Sequence, residues 1–177
     1  MDDLLDNYRH LVARVDALCR SITEALQDQI TCSAGCSACC TAITLFPVEA
    51  AALAAALDAL PAEEAEEIRR HVAEHADGER CPLLRNHVCL LYDARPIICR
   101  THGLPIIYDT GQERKIDYCP LNLTDRESFP GSLIIDVDKL NLLLVAINAL
   151  FLAKSGGDAR PERITIAEAL LKRVERL

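Results

Sequence analysis

The sequence predicts a mainly α fold, a helical bundle with an irregular cysteine-rich insert and one small β-hairpin. Apolar side chains recur at helical spacing near both ends of the 177-residue chain, which is typical of helices that bury one face. Between these segments lie two stretches that hold most of the nine cysteines and show no regular period. A single turn sequence joins two short strand-like runs.

The first half of the chain contains three predicted helices. Residues 3–28 carry an apolar stripe, and Cys19 lies on it, where a small buried thiol is the expected state. Residues 47–60 and 61–76 each begin with a proline, which a first helical turn tolerates because its N–H has no partner there. Glutamates crowd the start of the later helix and predict a solvated face.

The second half contains the predicted hairpin and two more helices. Residues 104–108 and 114–118 flank a turn at 109–112 and are interpreted as its strands. Residues 138–154 are apolar nearly all round, so this helix should be either central to the bundle or a subunit interface, and the interface predicts a homodimer. A capping box, Thr-x-x-Glu, opens the last helix, over 165–176.

The chain is acidic, with 27 Asp and Glu against 19 Lys and Arg, and its net charge is −8. A general nucleic-acid binder needs excess positive charge to displace counterions, so the charge argues against this class. The longest apolar run, 140–153, is shorter than the roughly 18–20 residues of a membrane span, and the acidic N-terminus has no export-signal layout. We therefore expect a cytoplasmic protein without membrane or nucleic-acid partners.

Cysteines are the dominant chemical feature. Cytosolic thiols stay reduced, so a cysteine-rich chain more often binds metal than forms disulfides, and an odd count fits a disulfide framework poorly. Four thiols lie within residues 32–40, where small residues and Gly35 let the backbone fold around one centre. With four later cysteines they make the predicted ligand set: Cys32, Cys36, Cys39, Cys40, Cys81, Cys89, Cys99 and Cys119.

Two arrangements of these eight thiols fit the sequence: two four-thiolate sites, or one centre with spare thiols beside it. Cys39 and Cys40 are adjacent and cannot both reach one small ion without strain, which predicts different roles for them. Arg95 and Arg100 flank Cys99 and are predicted cofactor-binding residues, because positive charge would offset an all-thiolate site. In the alternative interpretation, both arginines are surface charges that pair with Asp93 or with the glutamate-rich helix 61–76.

All-thiolate sites suit both zinc and iron–sulfur clusters. The spacing Cys32-x3-Cys36-x2-Cys39 matches the three-cysteine motif of radical S-adenosylmethionine enzymes, but the chain shows no run of βα units to build their barrel. Three close thiols can still hold three corners of a [4Fe-4S] cluster. The fourth ligand would then come from Cys40, Cys81, Cys89 or Cys99.

The cysteines also stand in a recognisable order. Cys32, Cys36, Cys39 and Cys40 are followed by Cys81-Pro-Leu-Leu, Cys89 and Tyr92-x2-Arg95-Pro96-x2-Cys99-Arg100. This pattern, over about residues 32–103, resembles the CxxCxxCC (YkgJ-type) family of zinc- or iron-chelating proteins. In this chain three residues, not two, separate the first pair, and Cys119 lies outside the pattern. A similar cluster occurs in flagellin lysine N-methylases with an iron–sulfur centre, so the resemblance implies a metal centre and leaves the reaction open.

The sequence thus predicts one metal-binding domain over residues 1–177, with its core motif at 32–103. Our leading interpretation is an iron–sulfur protein, with a [4Fe-4S] cluster in a redox or Lewis-acid role and a redox or protein partner of unknown identity. The alternative is a zinc-stapled helical protein-interaction module without catalysis. An enzyme of the methylase type is a third interpretation, although no glycine-rich nucleotide fingerprint supports it. Its polar candidates are Tyr92, Asp93, Arg95, Arg100 and His102.

Overall fold

The structure is a computed structural model, and it describes residues 2–33, 35–124, 128–156 and 162–171. Over these ranges the fold is mainly α, as the sequence predicts. The helices are α1 (Asp2–Ala25), α2 (Pro47–Asp58), α3 (Ala62–Glu74), α4 (Ile97–Thr101), α5 (Val137–Lys154) and α6 (Ile166–Leu171). Of these, α4 was not predicted, because its five residues are too few to show a helical period.

Short strands connect the helices within the described ranges. They are β1 (Thr44–Leu45), β2 (Leu84–Arg85), β3 (Val88–Cys89), β4 (Ile106–Asp109), β5 (Arg114–Asp117), β6 (Ile135–Asp136) and β7 (Ile164–Thr165). β1 pairs with β7 and β2 with β3, both antiparallel, while β4 lies between antiparallel β5 and parallel β6. The predicted hairpin is β4–β5. The hairpin β2–β3 is additional, because strands of two residues leave no alternating pattern in the sequence.

The first core cluster is built by three helices. α2, α3 and α6 pack together, and their buried side chains include Leu53, Leu57, Ile68, Val72 and Leu170. The glutamates at the start of α3 are exposed, which confirms the predicted solvated face.

The apolar stripe predicted on α1 is buried against α2 and α5. Leu5, Tyr8 and Val15 belong to this second cluster. Cys19 is partly buried between it and a third cluster around Ile22, so its thiol packs among apolar side chains, as predicted.

One buried carboxylate joins the starts of α2 and α4. Glu49 accepts a hydrogen bond from the backbone N–H of Phe46 at 3.2 Å and another from that of Ile97 at 3.1 Å. Burial raises the pKa of Glu49, while the two backbone donors act in the opposite direction. This contact ties α4, which carries Cys99, to the core formed by α2.

α5 is capped at its start by Asp136, whose side chain accepts a hydrogen bond from the backbone N–H of Lys139 at 3.1 Å. Leu144 and Phe151 lie on its buried face, whereas Leu142 is 69% exposed. The prediction that this helix is central to the bundle is therefore wrong, because the core covers only one of its faces. The interface interpretation stays a prediction. None of the described helices is both long and apolar enough to cross a lipid bilayer.

The predicted capping box opens α6. The backbone N–H of Glu168 donates to Thr165 Oγ1 at 3.1 Å, and the backbone N–H of Thr165 donates to Glu168 Oε2 at 3.1 Å. Pairing of β7 with β1 places this end of the chain next to the start of α2. The part of the predicted helix after Leu171 lies outside the described residues.

Candidate metal centre

The eight predicted ligand thiols fall into two groups in the folded chain. Cys32 interacts electrostatically with the other thiols of what we call the outer group: Cys32, Cys36, Cys39 and Cys119. Cys99 interacts with the other thiols of the inner group: Cys40, Cys81, Cys89 and Cys99. Three outer thiols belong to exposed residues, whereas all four inner residues are partly buried. Because the thiol of Cys39 interacts more strongly with that of Cys40 than with that of Cys36, the two groups touch, and both arrangements that the sequence left open stay predictions.

The inner group begins where two distant segments pair through their backbones. The N–H of Cys81 donates to the carbonyl of Cys40 at 3.1 Å, and the N–H of Ala42 donates to the carbonyl of Glu79 at 2.9 Å. A further antiparallel bridge joins Thr41 to Arg80. These contacts bring Cys40 beside Cys81, although the residues are far apart in sequence.

The hairpin β2–β3 brings a third thiol, that of Cys89, close to Cys40 and Cys81. Its turn residues, Asn86 and His87, have φ angles of 51° and 63°, and two positive φ angles are what a tight two-residue hairpin requires. Cys89 pairs with Leu84, whose N–H donates to the carbonyl of Cys81 at 3.0 Å. The turn was missed in the sequence because Asn-His lacks the glycine that usually marks it.

The fourth inner thiol, Cys99, lies in α4, and its own N–H donates to the carbonyl of Pro96 at 3.0 Å. Arg95 is the cation whose charge acts on this thiol and on that of Cys89. The guanidinium of Arg95 also stacks over the ring of Tyr92, 3.6 Å from its centroid. The predicted cofactor-binding role of Arg95 stays a prediction, with which the action of its charge on these two thiols is compatible.

Arg100 has a different environment. Its Nη1 donates to both carboxylate oxygens of Asp16 on α1, at 2.8 and 2.7 Å, and its side chain is 7% exposed. Its other nitrogens donate to the carbonyls of Asp93 and Arg95, each at 2.6 Å. Arg100 thus joins the loop before Cys99 to α1. Its carboxylate partner is Asp16, whereas the sequence suggested Asp93 or a glutamate of α3.

The outer group is held by a residue that the sequence analysis missed. Asn122 is buried, and its Nδ2 donates to Cys32 Sγ at 3.4 Å and to the carbonyl of Gly103 at 2.9 Å. Its Oδ1 accepts a hydrogen bond from the N–H of Thr31 at 2.9 Å. The buried amide therefore holds Cys32 close to the segment that carries Cys119. No sequence signal marks this asparagine, because its partners are 19 to 91 positions away.

Two glycines shape the outer group. Gly35 has a φ of +95°, which confirms the tight turn predicted between Cys32 and Cys36. Gly103 has a φ of +90°, and a β-carbon there would stand 3.3 Å from Cys32 Sγ and 3.3 Å from Asn122 Nδ2. Only a residue without a side chain fits this position next to the sulfur.

A cleft of about 530 Å³ runs between α1 and both thiol groups. Its lining includes Cys32 of the outer group and Cys99 of the inner group, together with Arg20, Arg95 and His102. We call it the arginine cleft. His102 is exposed in its wall, and Tyr92 and Asp93 also line it.

Five of the eight thiols are in surroundings that disfavour their charged form. Burial first, and the neighbouring thiols second, raise the pKa of Cys99 to about 12; burial also raises the pKa of Cys81 to about 11. The pKa values of Cys32, Cys39 and Cys89 are raised as well, again mainly by burial. Nucleophilic cysteines have lowered pKa values. These thiols therefore suit a site where a metal cation stabilises the thiolate form.

The donor set fits a thiophilic metal centre, since eight sulfurs meet in two groups of four. Within the described residues, no three cysteine sulfurs all lie within 4.8 Å of one another. A zinc–sulfur bond is about 2.3 Å long, which places the sulfurs of a tetrahedral zinc site about 3.8 Å apart. The thiols are thus grouped, but more widely than the ligands of a single small ion.

Comparison with known proteins gives one match. The family CxxCxxCC, described as "putative zinc- or iron-chelating domain", matches residues 31–120, just over half of the chain. The matched range includes all eight thiols of the two groups, and Cys119, which lay outside the pattern recognised in the sequence, falls within it. No curated protein and no solved structure matches the chain. With its two thiol groups inside the matched range, the chain belongs to the CxxCxxCC family of zinc- or iron-chelating domains.

Proposed function

We propose that this chelating domain holds an iron–sulfur cluster, of the [4Fe-4S] type, on its cysteine thiolates and acts in redox or Lewis-acid chemistry. The number of the thiols carries this proposal. Eight of them lie in the two groups, more than the four that one tetrahedral zinc ion needs. In a cluster each thiolate binds a different iron, so a cluster uses several thiols at once.

The inner group is the better cluster site of the two. Its four residues are partly buried, and Arg95 brings positive charge toward Cys89 and Cys99. Burial and nearby charge are the properties through which a protein sets the reduction potential of an iron–sulfur centre. Arg95 would thus offset the negative charge of the thiolates, and the buried side chains of α1 and α2 would limit access of water.

The arginine cleft is where a reaction partner would bind. It touches Cys99 and Cys32, so a molecule in the cleft would contact both thiol groups at once. Its lining holds Arg20, Arg95 and Arg100 against Asp16 and Asp93, and this excess of positive charge favours an anionic group there. When bound, a cluster supplies electron transfer or an open iron; the chain's own residues orient the molecule beside it.

A zinc-stapled interaction module without catalysis is the second candidate, and the loop around the outer group favours it. Cys32, Cys36 and Cys39 are exposed, and the backbone–backbone hydrogen bonds of the described residues 32–39 are local turns, such as that from Cys36 N–H to the carbonyl of Ser33 at 3.0 Å. Side chains of Asn122 and Arg80 reach this loop from outside. A metal ion that ordered this loop would act as a folding device. In small zinc peptides such binding contributes about 10–16 kcal/mol to folding.

Anaerobic purification followed by a visible spectrum and a count of iron, zinc and acid-labile sulfide tests the proposal. We expect a brown protein with about four iron and four sulfide for each cluster. A colourless protein with one or two zinc ions, unchanged after iron–sulfur reconstitution, would refute the cluster and support the zinc module. Reconstitution is the necessary control, because an expression host can load zinc into an iron–sulfur site.

A further inference from the structure

The end of α3 carries a cluster of metal-ligating side chains that lies apart from the thiols. His71, Glu74 and His75 each offer one ligand atom, and these atoms lie within 4.8 Å of one another. Two histidines four positions apart lie on one face of a helix, an arrangement that binds zinc in other proteins. Among the described residues no basic side chain is recorded as an ion-pair partner of Glu74.

The hydrogen bonds of the two rings prepare them for a cation. His71 Nε2 lies 3.2 Å from the carbonyl of Leu84, and His75 Nδ1 lies 2.8 Å from the carbonyl of His71. A carbonyl only accepts, so each of these nitrogens carries the proton. The other nitrogen of each neutral ring then keeps its lone pair. Metal-binding histidines typically show this arrangement, in which one N–H donates to a carbonyl and the free nitrogen binds the ion.

The rings of the two histidines lie side by side. The ring centroids of His71 and His75 are 4.2 Å apart, with a tilt of 33°. A cavity of about 430 Å³ adjoins the cluster, lined by Glu74, His75 and Cys81. Asp77 and Glu79 line the same cavity, and together with Glu74 they outnumber the one cation in its lining, Arg80, so the charge there still favours a cation.

We propose that His71, Glu74 and His75 form a second metal site, for a divalent cation of the zinc type, with nitrogen and oxygen ligands and open positions for water. Two imidazoles and one carboxylate are a ligand set that zinc uses when it keeps a coordination position free. A cation there would lie at the end of α3 beside the segment 77–84, which contains Cys81 of the inner group and whose Leu84 carbonyl contacts His71. The proposal holds whichever metal the thiols bind.

The test compares zinc binding by the full chain and by variants, after the thiol groups are loaded anaerobically. We expect wild type to bind one more equivalent of zinc than His75→Gln or Glu74→Gln, whose affinity at this site should fall at least about 10-fold. Zinc bound to the thiols contributes equally to wild type and to the variants, so the difference in bound zinc reports on this site alone. Histidine-ring NMR signals of His71 and His75 should shift together on addition of zinc.

Matched controls keep the result interpretable. His10→Gln on α1 and Glu63→Gln at the start of α3 change exposed residues of the same types and should bind zinc as wild type does. Circular dichroism checks that each variant is folded, and Glu74 is exposed, so its substitution leaves the core intact. Equal zinc binding by wild type, His75→Gln and Glu74→Gln, or ring signals of His71 and His75 that do not move, would overturn the proposal.

Discussion

Asn122 donates a side-chain hydrogen bond to the sulfur of Cys32 at 3.4 Å, across 90 positions of sequence. The same amide group donates to the carbonyl of Gly103 and accepts from the N–H of Thr31. A neutral, buried side chain thus fixes one thiol and the two backbone segments around it. N–H donors at thiolate sulfur are the kind of contact that tunes a metal centre from outside its ligand set.

Asn122→Asp should weaken metal binding at the outer group about 10- to 100-fold, the usual effect of losing a partner that orients a ligand. The aspartate keeps the acceptor for Thr31 but loses the donor to Cys32 and places negative charge beside the sulfur. Metal content after dialysis against a chelator measures the effect. Asn141→Asp, on the exposed face of α5, is the control and should retain its metal.

Ligand substitutions distinguish one centre from two. We expect Cys36→Ala to remove the metal of the outer group and Cys99→Ala that of the inner group, each leaving the other group loaded. The double variant should contain metal in neither group. Cys19→Ala should keep the full metal content, because this thiol packs in apolar surroundings. Full metal content in Cys36→Ala would remove the outer group from the ligand set, and complete loss in either single variant would indicate one shared centre.

Gly103→Ala should reduce metal content at the outer group. Its β-carbon would press on Cys32 Sγ and Asn122 Nδ2, both 3.3 Å away. Gly111→Ala is the matched control, because Gly111 also has a positive φ, +82°, but has no heavy atom within 4 Å of its added carbon. Both variants carry the strain of a left-handed residue, about 1–2 kcal/mol. Equal metal content in the two variants would contradict a specific contact at Cys32.

The charge of Asp136 should make stability depend on pH. The hydrogen bond from Arg114, and next the N–H of Lys139, lower the pKa of Asp136 to about 2. Since this pKa lies below that of an aspartate in the unfolded chain, the ionised form stabilises the fold above about pH 4, and the contribution is lost as the pH falls toward 2.

Urea unfolding of Asp136→Asn measures this effect. The free energy of unfolding should fall by about 0.5–1 kcal/mol at neutral pH, a modest value because Arg114 is half exposed and Asn can still cap the helix. The difference from wild type should shrink between about pH 5 and pH 3. Asp28→Asn, at an exposed aspartate, is the control. A difference that stays constant over this range would contradict the assigned ionisation.

The exposed apolar face of α5 is the basis for predicting a homodimer. Leu142, Leu143, Val145 and Leu150 are between 44% and 69% exposed on this one helix. A second copy of the chain would bury them by antiparallel packing of the two helices. Light scattering should give twice the mass of the chain, and Leu142→Glu should reduce it to the monomer. Leu121→Glu is the control: it changes a leucine that lies outside α5 and is 56% exposed, and this variant should remain a dimer. A monomeric wild type would refute the dimer.

The sequence predicts the long elements well because their signals are local. The stripe on α1, the proline at the start of α2 and the capping box of Thr165 and Glu168 all appear within a few turns of the chain. The use of cysteines as ligands could also be predicted from the sequence, because the cysteines lie in visible clusters. The different placement of Cys39 and Cys40 followed from their adjacency alone.

The assignment of thiols to groups depends on non-local contacts and was therefore not predictable. Cys40 meets Cys81 through backbone pairing of 40–42 with 79–81, and Cys119 meets Cys32 through Asn122. No periodic pattern records such contacts. For the same reason the sequence named Asp93 and the glutamate-rich helix as partners for Arg100, whereas the folded chain offers Asp16, 84 positions away.

The adjacency of Cys39 and Cys40 has a mechanical consequence. Cys39 belongs to the outer group and Cys40 to the inner group, and their thiols also contact each other through a hydrogen bond. A single peptide unit therefore spans the two groups. Because one peptide unit carries both side chains, a backbone shift that moves one of these sulfurs also moves the other.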